Sequence, residues 1–587
     1  MTKFHFSDEQ NTVINTPAPR VYVPAHAGAG KTSTLCARIR RLLDRAVLPE
    51  QILAVSFSNK ACNLILDRLR NGVPVQTFHA FGYHLIRAGT ANNSGLKLVT
   101  PKASVKLLRL ALKEYQDTCD QIHQKTGIGL RTLIGRKHLT SFFDRTHGSD
   151  EVMARLATDP NSGFKAYLPV LEELRLIRSA YDELLAAQGD IDYPGMLSRA
   201  CELVPTAKLP YRYLFVDECQ DMNAAQADLL VELAKRIPNV MVFGDPRQAV
   251  FGFMGSQHRD IPALLDGAVT LPLTKSFRLT HQTAATANAI LRLDGQQPVI
   301  GNNHGSKPTL AKCVSAKVQE NMLIRLIEGF KEARIPGSQI VILGRTKLQL
   351  RDAEQALRAA GYETSALYQP RMPEHTDRLL DLLDFIEQCA ISAAKGNRPN
   401  RTWRANRLST ITGVTVEKPV MYDCLRKLLI AARVKSFDGR YIAATRIYLR
   451  MMRTTGEKAT PIAIELGRWE AISRKFKTVP AFRAHIDFLR RQDPIVTSTI
   501  HGAKGGEWDH VIVLGVTEGS IPFFREMERG ELDEERRLLY VAVTRARKQV
   551  HLFHAPFHHA NSRQSFTDPS CFLTDEVKGT LRPQRIV

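Results

Sequence analysis

Several things are scarce in these 587 residues. The nine cysteines are scattered, with no Cys-x-x-Cys pair, which argues against a disulfide framework or a zinc ribbon and fits reduced thiols. No apolar run reaches the roughly 18 residues that a membrane-crossing helix needs. The opening stretch Met1-Thr2-Lys3-Phe4-His5-Phe6-Ser7-Asp8 lacks the apolar core of a secretion signal. A cytoplasmic location with no membrane partner is therefore expected. Internal repeats and low-complexity tracts are missing too. Acid is in short supply: 59 Asp and Glu stand against 81 Lys and Arg, a formal net charge of +22. That surplus points to a polyanionic partner, nucleic acid first. The length, with 44% hydrophobic residues, accommodates several domains with their own cores.

Against this background one segment near the start is specific. Val21-Tyr22-Val23-Pro24 reads as a buried strand, Ala25-His26-Ala27-Gly28-Ala29-Gly30-Lys31-Thr32 as a small-residue loop, and Ser33 to Leu43 as a helix. Strand, loop and helix in that order are the context of a phosphate-binding loop, in which backbone N–H groups and the helix N-terminus face the phosphates. Lys31 would reach the β and γ phosphates and Thr32 would ligate Mg²⁺. The strict pattern has Gly where Ala25 stands. A second strand, Tyr213-Leu214-Phe215-Val216, delivers Asp217 and Glu218, placed to hold Mg²⁺ and to polarise an attacking water respectively. A third, Val240-Met241-Val242-Phe243, ends in Gly244-Asp245-Pro246-Arg247-Gln248, which sets Gln248 beside the γ-phosphate. Phe251 and Phe253 come next on a strand-end loop and fit either core packing or base stacking.

These residues resemble the UvrD/Rep family of superfamily 1 DNA helicases, the 3′→5′ branch, and the resemblance runs in order along almost the whole chain. Gln10 resembles the adenine-reading Q motif. Ser56-Phe57-Ser58-Asn59-Lys60-Ala61 resembles motif Ia, and Gln76-Thr77-Phe78-His79-Ala80 the next strand-contacting motif. Asp217-Glu218-Cys219-Gln220-Asp221 resembles motif II, Gly244 to Gln248 motif III, and Lys275-Ser276-Phe277-Arg278 motif IV. Thr499 to Trp508 resembles motif V, and Glu535 to Ala546 motif VI. Ser33 departs from the family, which has an adenine-stacking Arg there. Phe251 and Phe253 stand where Tyr and Trp are usual, and Gly506 where Leu is.

The resemblance implies an α/β protein of two RecA-like, parallel-sheet lobes of the P-loop NTPase type, each interrupted by a mainly helical insertion, with ATP and Mg²⁺ between them. Its catalytic set is Lys31, Asp217, Glu218 and Gln248, with Arg278 and Arg545 as arginine fingers from the second lobe. ATP is held by Gln10, Ala25, His26, Ala27, Gly28, Ala29, Gly30, Lys31, Thr32, Ser33, Phe277, Gly505 and Glu507, and the metal by Thr32 and Asp217. Single-stranded DNA is gripped by Phe57, Asn59, Lys60, Thr77, Phe78, His79, Phe251 and Phe253 in the first lobe, and by Thr499 and His501 in the second. Core packing is the alternative for Phe57 and Phe78, and a structural hydrogen-bonding role for His79.

The expected domains are a first lobe at 1–88 and 190–272, its helical insertion at 89–189, and a second lobe at 273–370 and 491–560. A basic insertion at 371–490 and a tail at 561–587 complete the chain. Asp192-Tyr193-Pro194-Gly195 marks the return to the first lobe. Residues 391–460 carry 15 Lys and Arg against 4 Asp and Glu, which suits duplex DNA contact or a regulatory role. Met421 to Val434 reads as a helix and Ser436 to Tyr441 as a turn, within a winged-helix-like module. His558 and His559 lack further ligands at metal spacing, so no zinc is assigned. The function expected is an ATP-dependent helicase moving 3′→5′ on single strands and separating duplex at single-strand/duplex junctions. Its alternative is a single-strand translocase or ATPase that strips proteins or switches a partner such as a nuclease, in repair, replication or defence.

Overall fold

Alternation along short strands explains the first sheet. Ile52 and Ala54 pack on one face while Leu53 and Val55 pack on the other; Phe215 opposes Leu214 and Val216, and Met241 and Phe243 oppose Val240 and Val242. Successive side chains of a strand point to opposite faces, so strands apolar at every position must be covered by helices on both sides, as parallel sheets are. These strands are β1 (Arg20–Pro24), β2 (Ile52–Ser56), β3 (Val75–Thr77), β4 (Tyr213–Asp217), β5 (Asn239–Gly244) and β6 (Val269–Thr270). They lie in the order β3-β2-β4-β5-β1-β6 with parallel pairing. Helices α2 (Lys31–Leu43) and α3 (Asn59–Leu69) cover one face, through Leu35, Ile39 and Ile65. Helix α4 (Phe78–Gly89) covers the other, through Phe78 and Phe81.

The computed structural model describes residues 5–69, 72–89, 97–129, 139, 142–143, 153–154, 157–158, 164–251, 260–292, 297–367, 373–397, 400–454, 459–530, 532–558 and 565–584. Phe253 and His559 lie outside them. The chain forms two compact units. One comprises Met1–Pro308, Glu518–Gln549 and Ser570–Arg582; the other comprises Thr309–Thr517, Val550–Pro569 and Pro583–Val587. The segments bearing Arg278 and Arg545 thus belong to the same unit as the phosphate loop. That unit also holds a helical subdomain with its own core, in which Leu108, Leu112, Phe142, Tyr167 and Ile177 pack together.

The second unit is built on a further sheet. The sheet's strands are β7 (Thr309–Lys312), β8 (Ile340–Gly344), β9 (Thr364–Ala366), β10 (Ile495–Thr499), β11 (Trp508–Val513), β12 (Ala546–His554, in the second unit from Val550) and β13 (Arg582–Pro583, in the second unit from Pro583), in the order β9-β10-β8-β11-β12-β7-β13. Strand β8 pairs parallel with β10 and β11, β9 with β10, and β12 with β7. Two α/β sheets, each with helices, match the expected fold class.

Between β9 and β10 the described residues form six helices, Pro373–Ala394, Arg401–Thr412, Lys418–Ala431, Phe437–Met452, Ala459–Ser473 and Val479–Arg490. They share one core that includes Leu383, Leu428, Tyr448, Trp469 and Phe482. Among the described residues the module contains no strand, so it is not winged. The expected turn at Ser436 is a helix start instead: the Ser436 hydroxyl accepts from the Gly439 N–H at 3.2 Å and caps the helix Phe437–Met452. Turn and cap use the same residue types for the same reason, a side-chain oxygen satisfying a nearby N–H.

Arg468 ties this module to the sheet. Its guanidinium meets Glu363 at 2.6 Å and Glu465 at 3.3 Å and donates to the Thr364 carbonyl, while Thr376 donates to Glu465 at 3.1 Å. Glu363 is 3% exposed and also lies within electrostatic reach of Arg358, so removing Arg468 takes an ion-pair partner from a buried carboxylate. Arg468→Met is expected to destabilise the second unit by ~3–5 kcal/mol. All three tryptophans, Trp403, Trp469 and Trp508, lie in that unit, so their fluorescence during guanidinium unfolding reads this change; an unchanged midpoint would refute it.

Candidate nucleotide and nucleic-acid sites

The phosphate loop sits where β1 ends and α2 begins, at the C-terminal edge of the first sheet, where open α/β sheets bind ligands. Three backbone hydrogen bonds shape it: Ala25 N–H to Gly244 at 2.8 Å, His26 N–H to Leu273 at 2.9 Å and Ala29 N–H to His26 at 3.0 Å. Gly28 and Gly30 have φ of +78° and +80°, values that favour glycine. A Cβ on Gly28 would lie 2.6 Å from both the Arg278 Cβ and the Ser276 Oγ. Ala25, Ala27 and Ala29 are buried, which is why small residues are needed there. Gln10 donates to the Ala29 carbonyl at 3.1 Å. The Ser33 hydroxyl faces a guanidinium after all, accepting from Arg68 at 2.7 Å.

Strands β4 and β5 end beside this loop because they flank each other in the sheet and β5 pairs with β1. The Thr32 hydroxyl donates to Asp217 at 3.1 Å, and Lys31 lies 3.8 Å from Glu218. Glu218 has φ of +57°, in the left-handed region that is uncommon for a residue with a side chain. Its carboxylate accepts from the Gln220 amide at 2.6 Å. The other end of that amide accepts from Asp245 N–H at 2.9 Å, and Asp245 accepts from Gln248 at 2.6 Å. Arg545 donates to Gln248 at 2.9 Å, to the Val541 carbonyl at 3.0 Å and to the Thr544 hydroxyl at 3.1 Å. Arg278 donates to the Thr544 carbonyl at 3.2 Å. One relay therefore runs from Lys31 to Arg278 within a single unit. Gln220, Asp245 and Thr544 carry parts of it and were not among the expected site residues. They stand inside the motifs that contain Glu218, Gln248 and Arg545, which was the signal available.

Electrostatics here are set by burial. Burial opposes the charge on Lys31, but Glu218, Asp245 and Asp217 outweigh it and its pKa rises. Burial, with the Arg278 charge adding to it, pulls the Arg545 pKa down; a guanidinium keeps its charge through such a shift. A hydroxyl and a carboxylate oxygen are hard donors of the type Mg²⁺ accepts alongside phosphate and water, so Thr32 and Asp217 fit that ion.

The other expected residues fall into separate groups. Phe277 is 42% exposed, with the Lys275 ammonium 5.7 Å from its ring centre. Phe57 and Phe251, which follow β2 and the turn after β5 in the first unit, stack with centroids 6.0 Å apart. Asn59 and Lys60 are exposed at the start of α3. The Thr77 hydroxyl accepts from Ala80 N–H at 3.2 Å. Phe78 is 1% exposed and belongs to the core, so its ring faces protein. His79 meets the exposed Tyr193 edge-on at 5.4 Å, and burial lowers its pKa. In the second unit, Thr499 ends β10 and accepts from Gly502 N–H at 3.2 Å. His501 lies just beyond, its pKa pushed down to about 3 by burial, with Arg345 and Lys504 adding to it. Gly505 has φ of +76°, and Glu507 is exposed.

Burial, reinforced by Glu218, pushes the Asp217 carboxyl from its ordinary 3.8 up to about 7, against Lys31. Folding therefore disfavours its charged form: nothing is lost below the unfolded value, and the loss grows with pH until it is complete above about 7. Asp217→Asn removes that penalty. It is expected to raise the Tm of the nucleotide- and metal-free protein by ~2–4 °C at pH 8, with the gain shrinking toward pH 5. Calorimetry at the two pH values checks this, and a lower Tm at pH 8 would contradict it.

Comparison with known proteins agrees with this geometry. The UvrD/REP helicase N-terminal domain model matches residues 6–266, and the UvrD-like helicase C-terminal domain model matches residues 483–555. The chain is 24% identical to DNA helicase II of Rickettsia typhi, covering 97% of this chain and 94% of that protein. It is 23% identical to the ATP-dependent DNA helicase PcrA of Leuconostoc citreum, covering 97% and 84% respectively. Against PcrA of Staphylococcus aureus the identity is 22%, covering 98% and 87%. With both family models matched in order, and the phosphate loop, the acidic strand end and the two arginines assembled in one unit, the chain belongs to the UvrD/Rep helicase family.

Proposed function

We propose that this protein hydrolyses ATP with Mg²⁺ to move 3′→5′ along single-stranded DNA and to separate duplex ahead of it. The observation that carries the reading is the relay joining Lys31, Glu218, Gln220, Asp245, Gln248 and Arg545. Lys31 and the backbone of the loop bind the phosphates. Glu218, held by Gln220, orients the attacking water and takes its proton. Gln248, Arg278 and Arg545 face the γ-phosphate, where positive charge stabilises the transferring group; an arginine in this role is worth about 10³–10⁵ in rate. Thr32 and Asp217 would hold Mg²⁺, which would supply charge neutralisation on the phosphates.

Hydrolysis does mechanical work only if the two nucleotide states differ in contact energy. The relay offers that difference, because Gln248 and Arg545 already bond each other and must exchange partners with the γ-phosphate. Each unit carries its own strand-gripping residues: Phe57, Asn59, Lys60, Thr77, His79 and Phe251 in the first, Thr499 and His501 in the second. Aromatic faces accept any base, which suits a motor indifferent to sequence. The basic helical module at 373–490 suits contact with duplex.

Strand displacement on duplexes bearing a 3′ tail, a 5′ tail or no tail tests the proposal. Displacement of the 3′-tailed duplex alone, lost in Lys31→Ala, is expected. DNA-stimulated hydrolysis without displacement would replace the helicase reading with a translocase or a partner switch. Phe57→Ala combined with Phe251→Ala is expected to weaken single-strand binding by about 1–3 kcal/mol per base lost, measured by anisotropy of a labelled oligonucleotide. Unaltered affinity would remove the ring pair from the DNA path.

A further inference from the structure

Glu9 lies in the first turn of helix α1 (Asp8–Asn15), next to Gln10. An acidic residue there ordinarily needs no partner beyond water and the helix N-terminus. This one instead gathers donors from a segment some 265 residues away in sequence. Its carboxylate accepts from Thr274 N–H at 2.8 Å, from the Thr274 hydroxyl, and from Lys275 N–H at 3.4 Å. Thr274 is buried, and its carbonyl faces the His26 Nδ1 at 3.3 Å, a bond that needs the proton on that nitrogen. A loop residue and a helix residue thus grip Thr274 from two sides.

The residues just after Thr274 give this grip its importance. The Ser276 hydroxyl donates to the Ala27 carbonyl at 2.7 Å, and Phe277 N–H donates to Gly28 at 2.9 Å. Residues 274–278 form a strap laid along the phosphate loop, close enough that a Cβ on Gly28 would collide with Arg278. Phe277 and Arg278 ride on this strap. We propose that Glu9 is a positioning residue for ATP hydrolysis: by clamping Thr274 it fixes the strap, and with it Arg278 and Phe277, against the phosphate loop. This rests on the ATPase reading above. Gln10, beside Glu9, touches the same loop at Ala29.

Steady-state and single-turnover ATP hydrolysis by the full-length protein with single-stranded DNA tests this. Glu9→Ala is expected to lower kcat about 10–100-fold, the effect of displacing a catalytic group by about an ångström, with KM for ATP rising less than about tenfold. Glu9→Gln, which keeps one acceptor oxygen and guards against a folding defect, is expected to fall between wild type and Glu9→Ala. If Glu9 acts through Arg278, then adding Glu9→Ala to Arg278→Ala changes single-turnover hydrolysis by no more than about twofold. Equal losses in both backgrounds, or a Glu9→Ala protein as active as wild type, would overturn the inference while leaving the ATPase reading intact. A wild-type protein that hydrolyses no ATP with DNA would sink both.

Discussion

The first unit depends on the matching of buried charge. Lys31, Asp217 and Arg545 are taken out of water within one small region, with Glu218 at its edge. A buried charge left unpaired costs several kcal/mol, so such a cluster is tolerable only if each member is met by an opposite charge or a hydrogen bond. The relay through Gln220, Asp245 and Gln248 provides that matching, and it explains the surrounding architecture. Asp217 and Glu218 must stand at the end of a strand beside the loop. Gln248 must come directly after the neighbouring strand. Arg545 must arrive from the far end of the chain. Parallel pairing brings the ends of β1, β4 and β5 to one edge, which no local sequence preference would do.

The same matching explains the poise of the site. A network already satisfied is rigid and specific; the hydrogen bonds of its outermost members, Arg278 and Arg545, include ones to a glutamine, a hydroxyl and backbone carbonyls. The strap through Thr274 and Ser276 adds a mechanical constraint, since it lies on the loop by hydrogen bonds rather than by apolar packing.

Away from this cluster, burial sorts residues of one chemical type into different roles. Phe57 and Phe251 form a stacked, partly exposed pair, whereas Phe78, one residue beyond the equally expected Thr77, lies in the core. Phe78 opens a helix that covers the sheet and points into the core, whereas Phe57 and Phe251 lie on loops beyond strand ends. The basic module is a further case. Its charge is on the surface, but its six helices are held by a core of Leu, Tyr, Trp and Phe side chains and by the buried pairs around Arg468.

The resemblance carried by the sequence motifs supplied the fold class, and local patterns in the sequence marked the candidate nucleotide site. Strand periodicity, the glycine loop before a helix and acidic residues after an apolar strand are local patterns with local causes, legible without coordinates. The sequence could not decide whether Ser436 opened a turn or a helix, because both use the same hydrogen bond. Nor could it show that Gln220 and Asp245 bridge Glu218 to Gln248, or that Glu9 reaches Thr274. Those contacts join residues far apart in the chain, or set by the relative height of two strand ends. Only the tertiary structure decides them, since burial, register and the pairing of distant charges arise when the sheet forms.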